Sequence, residues 1–328
     1  MIISQTPYRV SFAGGGTDLP AYYEREPGAV LSVTLQQHMY VTVSPRFDPS
    51  TRVAYTKTEI CESIDEIEHT IAREALRTTG LGQHIEITTI GDVPAGTGMG
   101  SSSSLGVGLL NALYAYRGEV SSPRRLAEEA CHIEIDLLGK PIGRQDHYAA
   151  AYGGMNYMTF NADHSVDVEP LPHKRETFDA LEDRMLLLYT NQQRDADEIL
   201  AKQSRGTADR FEVLKQMREL AGAMRGTLAG DGDLEEFGRL LHEGWLLKRS
   251  LGFGISNSAV DDWYGLARKA GADGGKLAGA GGGGFLLLMA EPDRHEAIRQ
   301  ALGRPRELPF KIDHRGSRII FISGRYGF

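Results

Sequence analysis

Between residues 8 and 45 the chain alternates: YRVSFA, AVLSVTL and MYVTVSP put apolar side chains at every second position, with Gly and Pro between the first two runs and Gln36–Gln37–His38 between the last two. That is the period of half-buried strands. The period lengthens over Ile64 to Thr79, which predicts a helix ending before Gly80, and HIEITTI returns to a strand. From Ser101 the recurrence of Leu105, Leu109 and Leu113 predicts another helix. Ser121–Ser122–Pro123 supplies an N-cap and a first-turn proline for the next one, with Leu126, Ala130, Ile133 and Leu137 on one face and Gly139–Lys140–Pro141 as its stop. GMNYMTF and MLLLYT read as strands. The chain from about Asp195 to Leu251 reads as helical, with a break at Gly230–Asp231–Gly232–Asp233, and a further helix follows Ser256–Asn257–Ser258 as far as Ala270. LAGAGGGGFLLLMAE is a glycine loop feeding a strand, DRHEAIRQAL a helix, and FKIDHRGSRIIFI a terminal strand pair. Strands dominate early and helices late, which predicts an α+β fold rather than strict βαβ alternation. The border falls between 165 and 185, giving an N-terminal domain of residues 1–175 and a C-terminal one of 176–328.

Composition narrows the function. With 36 basic against 44 acidic residues and no Lys/Arg run, neither nucleic acid nor an anionic membrane is an expected partner. Two cysteines make no disulfide framework, no apolar run is long enough to span a bilayer, and the N-terminus has no secretory pattern. The expectation is a soluble cytoplasmic protein. Glycine is the outlier, with 39 residues that cluster at 14–16, 96–100, 153–154 and 279–284. Clustered glycine points to strained turns or to backbone approaching a ligand.

DVPAGTGMGSSSSL, Asp92 to Leu105, is a glycine loop between a strand and a helix that opens on serines. A helix N-terminus offers unpaired N–H groups and a positive dipole end, so this stretch is suited to phosphate. Pro94, Gly96, Gly98 and Gly100 shape the loop, and the hydroxyls of Ser101, Ser102 and Ser103 add donors. No Lys–Ser/Thr pair follows the glycines, which excludes a Walker A loop, and G-x-G-x-x-G fails at its third glycine. The plain alternative is a surface loop whose serines cap a helix.

PAGTGMGSSSSL resembles the central P-x-G-x-G-L-x-S-S-S motif of the GHMP kinases. PYRVSFAGGGTDLP, from Pro7, resembles that family's first motif, and KLAGAGGGGFLL, from Lys276, its C-terminal glycine motif. Where many members carry G-E-H, this chain has Gly14–Gly15–Gly16–Thr17–Asp18. With GRQDHYAAAYGGMNYMTF from Gly143, that variant is similar to the branch acting on heptose phosphates, with fucokinase-like domains close by. The resemblance implies the two-domain GHMP-kinase architecture of mixed sheets packed against helices. It also implies ATP and Mg²⁺, and phosphoryl transfer to the anomeric hydroxyl of a heptose 7-phosphate. Other open readings are a different sugar acceptor and a non-catalytic sensor of sugar and nucleotide on the same fold.

The resemblance also implies roles. Asp146 is the candidate base that takes or orients the acceptor proton, and Arg9 the cation at the developing charge. Gly15, Gly16, Thr17 and Asp18, with Gly281 and Gly282, fall at the sugar site, Asp18 gripping hydroxyls. Ser102 and Glu134 are the Mg²⁺ ligands, one carboxylate being enough for an ion that keeps water and phosphate oxygens. Each has a plain alternative: an edge arginine, turn residues, a helix-capping aspartate, a solvated helix glutamate. Lys248 and Arg249, following Trp245 on a helix, are candidates for a substrate phosphate. His242–Glu243 opens an H-E-x-x-H pattern that Leu246 breaks, and Cys131 reads as a packed small residue.

Overall fold

The computed structural model describes residues 1–172, 174–192, 196–230, 232–252 and 254–323. Its elements run β1 (Ile2–Ala13), α1 (Pro20–Tyr23), β2 (Gly28–Pro45), β3 (Thr51–Ala54), β4 (Thr58–Cys61), α2 (Thr70–Thr79), β5 (Ile85–Gly91), α3 (Ser101–Tyr116), α4 (Pro123–Cys131), α5 (Gln145–Tyr152), β6 (Met155–Phe160) and β7 (Val166–Pro170). There follow α6 (Arg175–Arg184), β8 (Met185–Tyr189), α7 (Ala196–Arg205), α8 (Phe211–Ala229), α9 (Leu234–Ser250), α10 (Ser258–Lys269), β9 (Gly274–Leu277), β10 (Phe285–Met289), α11 (His295–Ala301), β11 (Glu307–Leu308) and β12 (Arg318–Ile322). The architecture is α+β, as the pattern of strands and helices predicts.

One sheet has eight strands in the order β12-β1-β2-β5-β3-β4, with β6 and β7 extending from β2; the second has four, in the order β11-β8-β10-β9. β3 pairs with β5 in parallel. Behind the large sheet, α3 is buried along nearly its whole length and packs against α2, α4 and α5. The second sheet, β1 and the helices α8 and α9 share a core in which Tyr8, Val10 and Phe12 meet Leu187, Leu220 and Phe237. Among the described residues no helix is long and apolar enough to cross a membrane.

Several expectations change. AVLSVTL and MYVTVSP are one continuous strand, β2, bulged where Gln36 and Gln37 fall out of register with β1. The terminal strand pair is one strand: β12 pairs with β1, while the segment before it crosses the sheet as a strap bridging at Leu35–Ile312. The helix expected from Ile64 begins at Thr70, behind a short 3₁₀ turn. Asp195 and Asp231, at the expected start and break of the helical stretch, lie outside the described residues.

Ser122 caps α4 and Pro123 opens it, as the sequence suggests, but the helix then widens into a π-turn over His132–Leu137. The extra residue rotates the face. Leu137, expected in the apolar stripe, is half exposed, and Glu134 is fully buried.

Candidate active site

The central loop takes its shape from glycine. Gly96, Gly98 and Gly100 all have positive φ, at 76°, 81° and 74°, a region that side-chain-bearing residues seldom enter. A Cβ on Gly98 would run into the carbonyl of Ala278, so the central loop and the C-terminal glycine loop touch there. Gly100 is the N-cap of α3. The first-turn N–H groups of Ser101, Ser102 and Ser103 therefore face outward with no partner inside the helix, while Ser104 turns inward and its hydroxyl donates to Pro7 O at 2.9 Å.

Arg9 projects from β1 beneath this loop, where its backbone N–H donates to Met99 O at 3.1 Å. Its guanidinium is shared between two partners. Nη1 donates to Gly98 O at 2.7 Å, Nε donates to Asp146 Oδ1 at 2.6 Å, and Nη2 donates to Asp146 Oδ2. Asp146 is the second residue of α5. Asp18 meets it from the other side: its carboxylate accepts Gly16 N at 2.8 Å and Gln145 N at 3.4 Å. Burial first, and then the charge of Asp146, push Asp18 above the usual carboxylate range.

These groups bound one open cleft of about 340 Å³. Of the residues singled out from sequence, it collects Arg9, Gly15, Gly16, Asp18, Gly96, Gly98, Gly100, Ser101, Ser102, Ser103, Asp146 and Lys248. Six others, Glu134 among them, stand back from its wall. Thr17 is buried, its hydroxyl donating to Gly14 O at 2.8 Å and accepting Ala29 N at 3.0 Å. Pro94 O accepts the Thr97 hydroxyl at 2.9 Å. Gly281 and Gly282 pack on Ile255, with Gly282 N donating to Ile255 O at 2.8 Å. Arg249 points elsewhere and pairs with Asp261 at 3.1 Å.

Glu134 lies behind the cleft. Its carboxylate accepts from Lys140 Nζ at 2.6 Å and bonds His147 Nε2 at 3.1 Å. Burial alone would push its pKa up, but His147 and Lys140 outweigh that and hold it at about 2. Lys140 lines the cleft, so one ion pair separates Glu134 from it. Sequence reasoning treated Lys140 only as part of a helix stop. It also passed over Gln203 of α7, which covers Gly16 from the far side. Neither belongs to a motif, and only tertiary packing brings them to the site.

Residues 66–154 match the GHMP kinases N terminal domain and residues 213–306 the GHMP kinases C terminal domain. The D-glycero-alpha-D-manno-heptose 7-phosphate kinase of Campylobacter jejuni is 31% identical over 315 residues, covering 92% of this chain and 93% of that protein. The chain is a GHMP kinase. It is an ATP-dependent phosphotransferase. A solved structure described as a D-glycero-D-manno-heptose 1-phosphate kinase from Bacteroides thetaiotaomicron superposes with a TM-score of 0.83 at 28% identity, over 99% of this chain and all of that one. The bifunctional fucokinase/GDP-fucose pyrophosphorylase of Arabidopsis thaliana is 26% identical over 94% of this chain, which spans 32% of that protein.

Proposed function

We propose that this GHMP kinase transfers the γ-phosphoryl group of ATP to the anomeric hydroxyl of D-glycero-D-manno-heptose 7-phosphate, giving the 1,7-bisphosphate. The observation that carries the reading is the shared guanidinium of Arg9, which joins the phosphate loop at Gly98 to the carboxylate of Asp146. A donor phosphate on the loop and an acceptor hydroxyl on Asp146 would meet across that one side chain. The heptose 7-phosphate relative supplies the acceptor.

In this reading the triphosphate rests on the N–H groups of α3 and on Ser101, Ser102 and Ser103, inside the curve of Gly96, Gly98 and Gly100. The sugar lies against Gly15, Gly16 and Asp18, with Thr17, Gly281 and Gly282 shaping the loops that carry it. Asp146 orients the acceptor hydroxyl and takes its proton, and Arg9 faces the charge that builds on the transferred group. The donor set suits Mg²⁺, because an ionised carboxylate, Glu134, stands one ion pair behind the hydroxyl-lined wall. Ser102 and Glu134 would hold the ion, Lys140 giving up its carboxylate partner, and the ion would neutralise phosphate charge. Residues 1–175 would carry the phosphate loop and the acid, and 176–328 the helices and second glycine loop. The two cysteines, free and buried, suit a cytoplasmic setting.

ADP release with Mg-ATP is the test, run on D-glycero-D-manno-heptose 7-phosphate, the free heptose, fucose and galactose. Turnover on the heptose 7-phosphate, with the product's new phosphate at the anomeric carbon, is expected. Turnover on fucose instead would replace the acceptor. ATP binding without turnover on any sugar would favour the non-catalytic sensor.

A further inference from the structure

Among the described residues three basic side chains line the cleft, and they differ in what neutralises them. Arg9 is paired with Asp146 and Lys140 with Glu134. The third, Lys248 of α9, is only 6% exposed, and its ammonium group donates to a neutral acceptor, Gly279 O. Among the described residues no carboxylate lies within ion-pair distance of it. An ammonium group has three donors, and burying one without a counter-charge is costly. Burial, and then the charge of Arg9, bring its pKa down to about 8.

Its neighbour does not relieve this. Lys276 shares a small internal cavity with Lys248 beneath Gly14 and Gly15, and its Nζ donates to Ser11 O at 2.5 Å. Burial, and then the charge of Lys248 itself, push Lys276 well below the usual lysine range, so Lys276 brings no counter-charge to Lys248.

The position of Lys248 narrows what it awaits. Its anchor, Gly279, abuts Gly98 of the phosphate loop, and the charged groups that act on it are Arg9, Asp18 and Asp146. It therefore stands where the phosphate loop gives way to the acceptor end of the cleft. We propose that Lys248 is a phosphoryl-binding residue there, its ammonium group taking an oxygen of a phosphate monoester as counter-charge. That phosphate is either the sugar's own or the group being transferred. The inference rests on the sugar-phosphate kinase reading and adds to it the residue that recognises phosphate at the acceptor end.

Lys248→Met keeps the length and removes the charge; Lys248→Arg keeps the charge. With the phosphate loop filled by saturating ADP, inorganic phosphate is titrated into the full chain by calorimetry. Binding to the wild type, weakened about 30-fold or more in Lys248→Met and retained in Lys248→Arg, is expected. Steady-state kinetics then separate the two sources. A raised KM for the heptose 7-phosphate, with the free heptose unaffected, assigns Lys248 to the sugar's own phosphate. A fall in kcat on both acceptors at unchanged KM assigns it to the transferred group. A normally melting Lys248→Met protein with unchanged phosphate binding and unchanged constants overturns the proposal. If the wild type phosphorylates neither heptose, the proposed acceptor is wrong, and the phosphate titration still decides the role of Lys248.

Discussion

Asp146 is gripped at both carboxylate oxygens by Arg9, which is itself tied to the central glycine loop at Gly98. A carboxylate so fixed presents one orientation to an incoming hydroxyl. Asparagine keeps its shape but neither accepts a proton nor balances the guanidinium. Asp146→Asn is therefore expected to lower kcat about 100-fold or more with KM for ATP changed less than about threefold, in steady-state assays. An unchanged kcat would remove Asp146 from the chemistry. The buried group behind it behaves differently, as a pair. His147 is pushed down by burial but lifted to about 10 by Cys131 and Glu134, while Glu134 is held at about 2. A depressed carboxylate stabilises the fold above its ordinary 4.5 and loses that contribution as pH falls toward 2. A raised imidazole stabilises below its ordinary 6.5 and loses the contribution as pH rises toward 10. The Tm difference between wild type and Glu134→Gln is thus expected to be largest at about pH 5 to 6 and to shrink on both sides. A difference that is flat with pH would show that the pair is not ionised.

At the scale of elements, local pattern read best where an element is closed by its own neighbours. Ser122 and Pro123 start α4, and Gly80 ends α2 in a left-handed turn, on chemistry contained within a few residues. It read worst where a distant segment supplies the missing bonds. Gln36 and Gln37 look like a break between two strands. In the fold Gln36 Nε2 donates to Ile312 O at 3.2 Å and Gln37 Nε2 to Pro309 O at 3.1 Å, so one strand passes through the polar stretch. The π-turn at His132–Leu137 has the same origin: nothing in helical spacing signals the extra residue, yet it decides that Glu134 rather than Leu137 turns inward. At the cleft, Arg9, Asp146 and the central glycine loop come together from segments that stand out as motifs, whereas Lys140 and Gln203 belong to none. The central loop itself offers a test. At Gly98 a Cβ would both strain a positive φ and strike the Ala278 carbonyl. Gly98→Ala is expected to part the two glycine loops and raise the Kd for ATP about tenfold or more by calorimetry, with the far-UV CD spectrum unchanged. Unchanged ATP affinity would mean that the loop contact does not shape the nucleotide site.

Taken as a whole molecule, the two halves of the chain are joined through shared packing and through the strap before β12. Tyr8, Val10 and Phe12 of the first strand lie in one core with Leu187, Phe237 and Leu287 from the second half. The strap is tied back to the large sheet at Asp313, which His38 Nε2 meets at 2.7 Å and Arg318 at 2.9 Å, while Thr34 Oγ1 donates to its carbonyl at 2.6 Å. Burial works against the Asp313 carboxylate, but His38, the Arg315 N–H and Arg318 hold it at about 2. Cutting these ties should loosen the strap along with β12. Asp313→Ala takes the carboxylate from both Arg318 and His38 Nε2, and a lost buried ionic contact costs about 3 kcal/mol. Both tryptophans, Trp245 and Trp263, lie in the second half, so their fluorescence reports that half alone, and hydrogen exchange in β2 reports the first. In urea the wild type is expected to lose both signals at the same midpoint, and Asp313→Ala to lower that midpoint for both together. Coincident midpoints would mean that the cleft is built on a single cooperative unit, with Arg9 and Lys248 held to one another by the fold. Separate midpoints would make the halves independent bodies, and the placing of Lys248 against the acceptor end would then depend on how the two close.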